Sequence, residues 1–247
     1  MLRPVPAGVT LAAAGLALAQ TASIPDVARI VREAERNEFR FDDQTYRVRI
    51  RLIETGRVTR EIDLQVLAKG PDKLLVRILA PGEVAGMAIL QLGPSTTYVY
   101  NPEDRSVRLV AASARAQGFL GTDWGAAETS LAGISRGFQP SLIEATDDYY
   151  KVQLLRTTAD FPYDKLVFKF DRRRNKASEV EYHLDGVLSK RLVRDEWRTQ
   201  LGVEEATRFR VINASVDRVT EAHISDWQIN TGLEDRLFTK RSLMLGE

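Results

Sequence analysis

The residue types that most often carry chemistry in proteins are scarce in this chain or widely spaced along it. The sequence has no cysteine and only two histidines, His183 and His223. A metal site needs several converging ligands, and neither histidine has a neighbour at a ligand spacing. We therefore interpret both histidines as structural residues and predict no metal ion and no cofactor.

The carboxylate pairs of the sequence do not indicate catalysis, and phosphate-binding loop motifs do not occur in it. Asp147-Asp148 and Glu204-Glu205 look like turn residues, and no P-loop or G-x-G-x-x-G pattern occurs. We expect no serine nucleophile and no general acid–base pair, and the chain is predicted not to be an enzyme. With 35 Lys and Arg against 34 Asp and Glu, it also lacks the positive field that nucleic-acid binding requires. No nucleic-acid partner is predicted.

The amino terminus has the pattern of an export signal. Arg3 gives a short positive region, residues 8–19 form an uncharged apolar run, and Ala17-Leu18-Ala19 supplies the small residues that a signal peptidase reads. We predict a signal peptide at residues 1–19, cleavage before Gln20, and a single domain over residues 20–247. An uncleaved anchor is the alternative, although the run is short for a transmembrane helix.

Hydrophobic periodicity then predicts one helix followed by many strands. Residues 24–38 have apolar side chains at helical spacing, and residues 23–26 have the spacing of a capping box. From Gln44 the period changes to two, so that a strand with one apolar and one arginine-rich face is expected. Arg47, Arg49 and Arg51 either meet an anionic headgroup or partner, or pair with Glu61 and Asp63 across a hairpin.

The remaining strands are short and separated by turns. They are predicted at residues 62–66, 74–79, 87–92, 96–100, 106–110, 149–157, 163–170, 177–184, 188–197, 206–213 and 222–230. Between them, residues 117–124 form a Gly-rich aromatic loop, and Thr122 or Asp123 is expected to cap a short helix through residue 132. We predict a mostly β protein with a single curved antiparallel sheet, a half-barrel of about 10–11 strands capped by an N-terminal and a short central helix.

The concave face of such a sheet is apolar and must be filled, either by packed side chains or by helices together with a ligand. Periodicity alone leaves both possibilities open. The side chains that line a cavity or form its lid would come from the apolar helix face, the first strand, the two tyrosines of the fifth strand and the aromatic loop. The candidate residues are Val27, Val31, Tyr46, Val48, Ile50, Met87, Tyr98, Tyr100, Phe119, Leu120 and Trp124.

Several segments, in this order, resemble one known family. PGEVAGM at residues 81–87 is followed by TYVYNP at 97–102 and QGFLGTDW at 117–124, and EDRLFTKRSL lies at 234–243. The helix sequence DVARIV at 26–31 completes the set. These segments resemble the outer-membrane lipoprotein-sorting (LolA-like) family over most of the mature chain.

The resemblance implies a function as well as a fold. It implies a curved sheet closed by helices around a hydrophobic cavity for acyl chains. The protein is then expected to be a soluble periplasmic carrier that binds a lipid or acylated lipoprotein and passes it from an inner-membrane transporter toward an outer-membrane acceptor. An envelope-stress lipid or lipoprotein sensor, or an accessory protein to a lipid-exporting pump, is the alternative.

Overall fold

The computed structural model describes residues 26–93, 95–111, 118–125, 128, 133–159 and 161–245. The predicted signal peptide, and most of the predicted central helix, lie outside these residues. In the part of the chain that is described, no helix is both long enough and apolar enough to span a membrane.

Thirteen strands within the described ranges form one antiparallel sheet. The first six are β1 Asp43–Glu54, β2 Arg57–Lys69, β3 Lys73–Ala80, β4 Ala88–Leu92, β5 Thr96–Asn101 and β6 Ser106–Leu109. The others are β7 Phe138–Ala145, β8 Tyr149–Arg156, β9 Lys165–Asp171, β10 Lys176–Leu184, β11 Val187–Gln200, β12 Val203–Asn213 and β13 Arg218–Ile229. The predicted single curved sheet is confirmed, and its thirteen strands exceed both the twelve segments predicted as strands and the 10–11 expected for the half-barrel.

The strand order shows that the sheet is unclosed. It runs β6-β5-β4-β3-β2-β1-β13-β12-β11-β10-β9-β8-β7, so that the first and last strands pair at the centre. The strands β6 and β7 are the two free edges. Residues 110–137 connect β6 to β7 in the sequence, and the described residues 118–125 of this connection are called the spanning segment below.

Strand β7 is the strand that periodicity did not predict. Its sequence contains Pro140, which has no N–H to donate to a neighbouring strand and argues against a central strand. The structure places β7 at a sheet edge, paired on one side only with β8. An edge strand tolerates proline, so the position in the sheet explains why a strand forms here.

One half of the inner face is a packed core beneath the helix α1, Val27–Glu38. Asp26 is the N-cap residue and accepts a hydrogen bond from Arg29 N at 3.0 Å. The helix buries Ile30, Val31 and Ala34 against the strands β7–β12. The helix thus begins at Val27, slightly later than the predicted residue 24, because Asp26 supplies the cap.

The opposite half of the sheet is covered on its outer face by the C-terminal segment. This segment contains a 3-10 turn, Asp235–Leu237, and a short helix at Lys240–Leu245. Phe238 and Leu243 are buried there against Leu75 and Leu90 of β3 and β4. Both faces of this half are therefore apolar, one covered by the C-terminal segment and the other facing the interior.

Candidate functional site

A cavity of about 350 Å³ lies on the inner face of the half of the sheet that α1 does not fill. Strands β1–β5 form one wall, and β11–β13 form the other. The connection between the two sheet edges contributes Phe119 and Trp124. The cavity is thus bounded by the sheet and by the segment that spans it.

The strand registers arrange the cavity wall in rows. One row across the sheet consists of Tyr46, Val66, Val76, Ile89 and Val99. The next rows on one side contain Val48 with Leu64, and then Ile50 with Ile62. The row on the other side contains Gln44, Leu74, Gln91 and Thr97. The wall formed by β1–β5 is therefore apolar over most of its length and polar at one end.

Five of the residues predicted from the sequence line this cavity. Tyr46, Val48 and Ile50 project from β1, and Phe119 and Trp124 project from the spanning segment. Trp124 also packs on Phe209, with ring centroids 5.6 Å apart. The structure thus brings the apolar face of the first strand and the aromatic loop to one place.

The other six predicted residues lie elsewhere. Val27 and Val31 pack in the core beneath α1. Met87 and Leu120 pack against the inner-face cluster of β1–β3 without lining the cavity. Tyr98 and Tyr100 lie on the outer face beneath the C-terminal segment, where Lys240 Nζ stands 4.2 Å from the Tyr98 ring centroid.

A cluster of four buried charges, which the sequence did not predict, stands at the polar end of the cavity. Arg194 donates to Glu38 at 2.8 and 2.9 Å and to Glu205 at 2.5 Å. Lys176 donates to Glu205 at 2.8 Å and lies 3.6 Å from Glu38. Burial would raise the pKa of Glu38, but Arg194 and Lys176 outweigh it and hold that pKa below its ordinary value.

Glu128 is a second buried acid on the cavity wall. It accepts hydrogen bonds from the Tyr163 hydroxyl and, at 3.2 Å, from Lys190 Nζ. Burial raises the pKa of Glu128 despite the opposing charge of Lys190. These contacts tie the spanning connection to β11.

Three further contacts hold the spanning segment against the sheet. Arg60 Nη1 donates to the Leu120 carbonyl at 2.6 Å. The buried carboxylate of Asp123 accepts from Arg218 at 2.6 and 2.8 Å and from Asn213 at 2.7 Å. The segment is thus fixed to β2 on one side and to β12 and β13 on the other.

The arginine row of β1 is explained by pairing across the hairpin. Arg49 Nε lies 2.8 Å from Asp63, and Arg51 Nε lies 2.7 Å from Glu61. These groups are substantially exposed, so the pairs contribute little to stability. The predicted pairing across the hairpin is found for Arg49 and Arg51, whereas Arg47 lies 3.7 Å from Asp226 of β13.

The sequence contains one segment that bears on the expectation of no serine nucleophile. Residues 133–137 read Gly-Ile-Ser-Arg-Gly, the spacing of a serine nucleophile turn. In the structure Ser135 lies in the short helix α2, Ile134–Gly137, where the N–H groups of Gly133 and Ser135 donate to Glu35 at 2.7 and 3.0 Å. A triad requires a base within hydrogen-bond reach of the serine. The spacing is present, but the hydrogen bonds that the Gly133 and Ser135 N–H groups donate attach α2 to α1.

The two histidines each contact a glutamate on their own strand. His183 Nε2 lies 3.4 Å from Glu181, and His223 Nε2 lies 2.9 Å from Glu221. Within the ranges given above, no group of three or more His, Cys, Asp or Glu side chains is placed to hold a metal ion.

Together, the fold and the cavity define a class: a half-barrel whose unclosed antiparallel sheet encloses a largely apolar cavity. The profile of a family described as "-like: Uncharacterized protein" matches residues 70–244, well over half of the chain. The chain belongs to this family, and the LolA-like assignment made from the sequence segments is confirmed. No curated protein sequence matches the chain.

Solved structures of similar shape agree with this assignment. An outer-membrane lipoprotein-sorting protein domain from Vibrio parahaemolyticus is 21% identical with a TM-score of 0.78, covering 88% of this chain and 97% of that one. A DUF1329 family protein from Desulfovibrio piger is 18% identical with a TM-score of 0.80, covering 88% and 98%. A LolA superfamily protein from Nitrosomonas europaea is 24% identical with a TM-score of 0.73, covering 87% and 98%. At these identities the likeness concerns the fold.

Proposed function

We propose that this protein is a periplasmic carrier that holds an acyl chain of a lipid or lipoprotein in its cavity and conveys it toward the outer membrane. The observation that carries the proposal is the apolar cavity of about 350 Å³ on the inner face of an unclosed sheet. The similarity in fold to a lipoprotein-sorting protein domain supports it.

The physical chemistry of the cavity suits an acyl chain. Each CH₂ group that leaves water for this wall contributes about 0.8 kcal/mol. The rows of Val, Ile and Leu side chains present no charge to such a chain over most of the cavity length. Apolar attraction of this kind does not depend on one particular partner, so a second apolar site can accept the same chain.

The sequence and the family also support a transport route from the inner to the outer membrane. The signal-peptide pattern at residues 1–19 supports export, with a mature chain that begins at Gln20. We propose an inner-membrane transporter as the donor and an outer-membrane protein as the acceptor. No catalytic step is part of this function, because loading and release are exchanges between apolar sites.

A vesicle assay tests the proposal. The full chain is expressed, purified from the cell envelope and added to donor vesicles that contain a fluorescent acyl lipid, with unlabelled acceptor vesicles. We expect the protein to accelerate transfer in proportion to its concentration. Native mass spectrometry of the same preparation should show an acyl adduct.

A cavity-filling variant supplies the control. Val99 lines the cavity on β5, so Val99→Trp should occupy space that the chain needs and slow transfer. Val58, which is 53% exposed and remote from the cavity lining, provides Val58→Trp as a matched substitution that should leave transfer unchanged. Equal transfer with and without protein, together with no adduct, would contradict the proposal.

A further inference from the structure

The cavity volume sets the amount of hydrocarbon that the protein can hold. An engineered apolar cavity of about 150 Å³ binds benzene, which has six carbons. In proportion, the cavity of about 350 Å³ in this protein holds roughly 14 carbons. That corresponds to one acyl chain of medium length. The cavity, at about 350 Å³, is too small for two or three such chains.

The polar row fixes which end of the chain carries the headgroup. Gln91 and Thr97 are buried in this row, and Gln44 lies in it as well. Gln44 accepts a hydrogen bond from Trp227 Nε1 at 3.0 Å through its carbonyl oxygen. Within the part of the chain described, its NH₂ group makes no hydrogen bond to protein. The Gln91 NH₂ group donates one hydrogen to the Gly93 carbonyl at 3.3 Å and retains a second N–H. The row thus offers uncharged donors at one end of a channel whose other end is lined by Phe119, Trp124 and the hydrogen-bonded carboxyl group of Glu128.

The charges at this end are already paired with one another. Glu38 and Glu205 line the cavity, and their partners are Arg194 and Lys176. Lys73, beside a small adjoining pocket of about 60 Å³, is bridged to Asp235 at 3.0 Å. A free carboxylate entering here would face two carboxylates and find both neighbouring cations engaged, whereas a neutral carbonyl would accept from the amides and the hydroxyl.

We infer that the cargo is a single acyl chain whose head is an ester or amide, bound with its tail toward Phe119 and Trp124 and its carbonyl at Gln44, Gln91 and Thr97. Free fatty acids are poor ligands of this site. The inference rests on the proposed carrier function and adds to it the number of chains, their orientation and the chemistry of the head.

Displacement of a bound dansyl-labelled acyl probe tests these points. The competitors share a 14-carbon chain: myristate, 1-monomyristoylglycerol, the lysophosphatidylethanolamine, and the two-chain dimyristoyl phosphatidylethanolamine. At pH 7.5 we expect both single-chain esters to compete at least tenfold better than myristate. The two-chain lipid should bind no more tightly than the lysophospholipid. A preference between the two single-chain esters identifies whether glycerol or a phospholipid head is the source of the ester.

Two variants locate the head. Gln91→Leu should weaken the monoglyceride about fivefold, the usual effect of losing one hydrogen bond, and leave myristate unchanged. Gln65→Leu is the matched control, since Gln65 alternates with Leu64 and Val66 and so lies on the outer face of β2. Glu205→Gln removes one negative charge and should raise the affinity for myristate relative to the monoglyceride.

The outcomes separate the inference from the proposed function. Myristate binding as well as the esters would overturn the headgroup assignment. A two-chain lipid binding tenfold more tightly than its lyso form would overturn the limit of one chain. Failure of every acyl competitor, with no lipid transfer between vesicles, would instead overturn the carrier function itself.

Discussion

Arg194 holds the carboxylate of Glu38 with two hydrogen bonds, of 2.8 and 2.9 Å, and so joins the last residue of α1 to strand β11. Glu205 and Lys176 complete the cluster, and the side chains of all four are largely buried. The cluster stands where the packed half of the inner face meets the cavity. It therefore fixes the position of α1 relative to the polar end of the binding site.

Removing the arginine should destabilise the fold strongly. Arg194→Met leaves Glu38 and Glu205 with only Lys176, and breaking a buried ion pair in this way costs about 3–5 kcal/mol. Urea denaturation at pH 7 measures the change in the free energy of unfolding. Arg49→Met, which breaks the solvent-exposed pair with Asp63, should change the free energy of unfolding little. Equal small losses for the two variants would show that the Arg194 cluster is not desolvated.

Asp43 should make the stability of the protein depend on pH. Its buried carboxylate accepts four hydrogen bonds of 2.7–2.9 Å from Thr231, Gly232 and Leu233. Burial raises its pKa, but these donors outweigh burial and lower the pKa of Asp43 below its ordinary value. A lowered pKa stabilises the fold above the unfolded value of about 3.9, and this contribution is lost as the pH falls through the native pKa.

The variant Asp43→Asn isolates that contribution. At pH 7 its free energy of unfolding should be about 1.5–3 kcal/mol lower than that of the wild type, since hydrogen bonds to a charged acceptor are lost. The difference should shrink as the pH falls below about 4, because Asp43 then becomes protonated in the unfolded chain, and it should vanish once the pH passes the lower pKa of the folded state. Denaturation series from pH 7 to pH 3 on both proteins provide the measurement. A difference that stays constant over this range would contradict the assignment to ionisation.

Much of the sheet was predictable because a period of two identifies the face on which a side chain lies. The alternation of Tyr46, Val48 and Ile50 with arginines predicted both the inner wall and the outer ion pairs. The failure at β5 has a physical reason. Tyr98 and Tyr100 are apolar enough to suggest a cavity, but the C-terminal segment makes the outer face apolar too, so Thr97 and Val99 are the cavity residues.

Long-range contacts were the part that the sequence could not provide. Glu38 and Arg194 are 156 residues apart, and only the strand order brings them together. Arg194 does share a strand face with Leu192, two residues earlier, which is a signal that an arginine points inward. Without the position of α1, that signal does not reveal which carboxylate is its partner.

The two faces of β3 and β4 should respond differently to mutation. Leu243 is 1% exposed beneath the C-terminal helix, so Leu243→Ala should cost about 2–5 kcal/mol in the free energy of unfolding. Acyl-probe affinity should be unchanged at temperatures where the variant is folded, because Leu243 packs on the outer face. Leu109→Ala, at a residue 63% exposed, serves as the control and should change neither quantity. A large loss of affinity in Leu243→Ala alone would show that the outer face controls the cavity.

Gly118 should be required for the position of the spanning segment. A β-carbon at this residue would lie 1.5 Å from the carbonyl oxygen of Thr122, so any side chain must force the turn open. Because Phe119 and Trp124 lie within this turn and line the cavity, Gly118→Ala should displace both and weaken acyl-probe binding. We expect a stability loss of about 1–3 kcal/mol, as for other overpacked sites. Gly82→Ala meets no atom within 4 Å and should leave binding and stability unchanged. Wild-type probe affinity in Gly118→Ala would mean that the segment does not need this turn to close over the ligand.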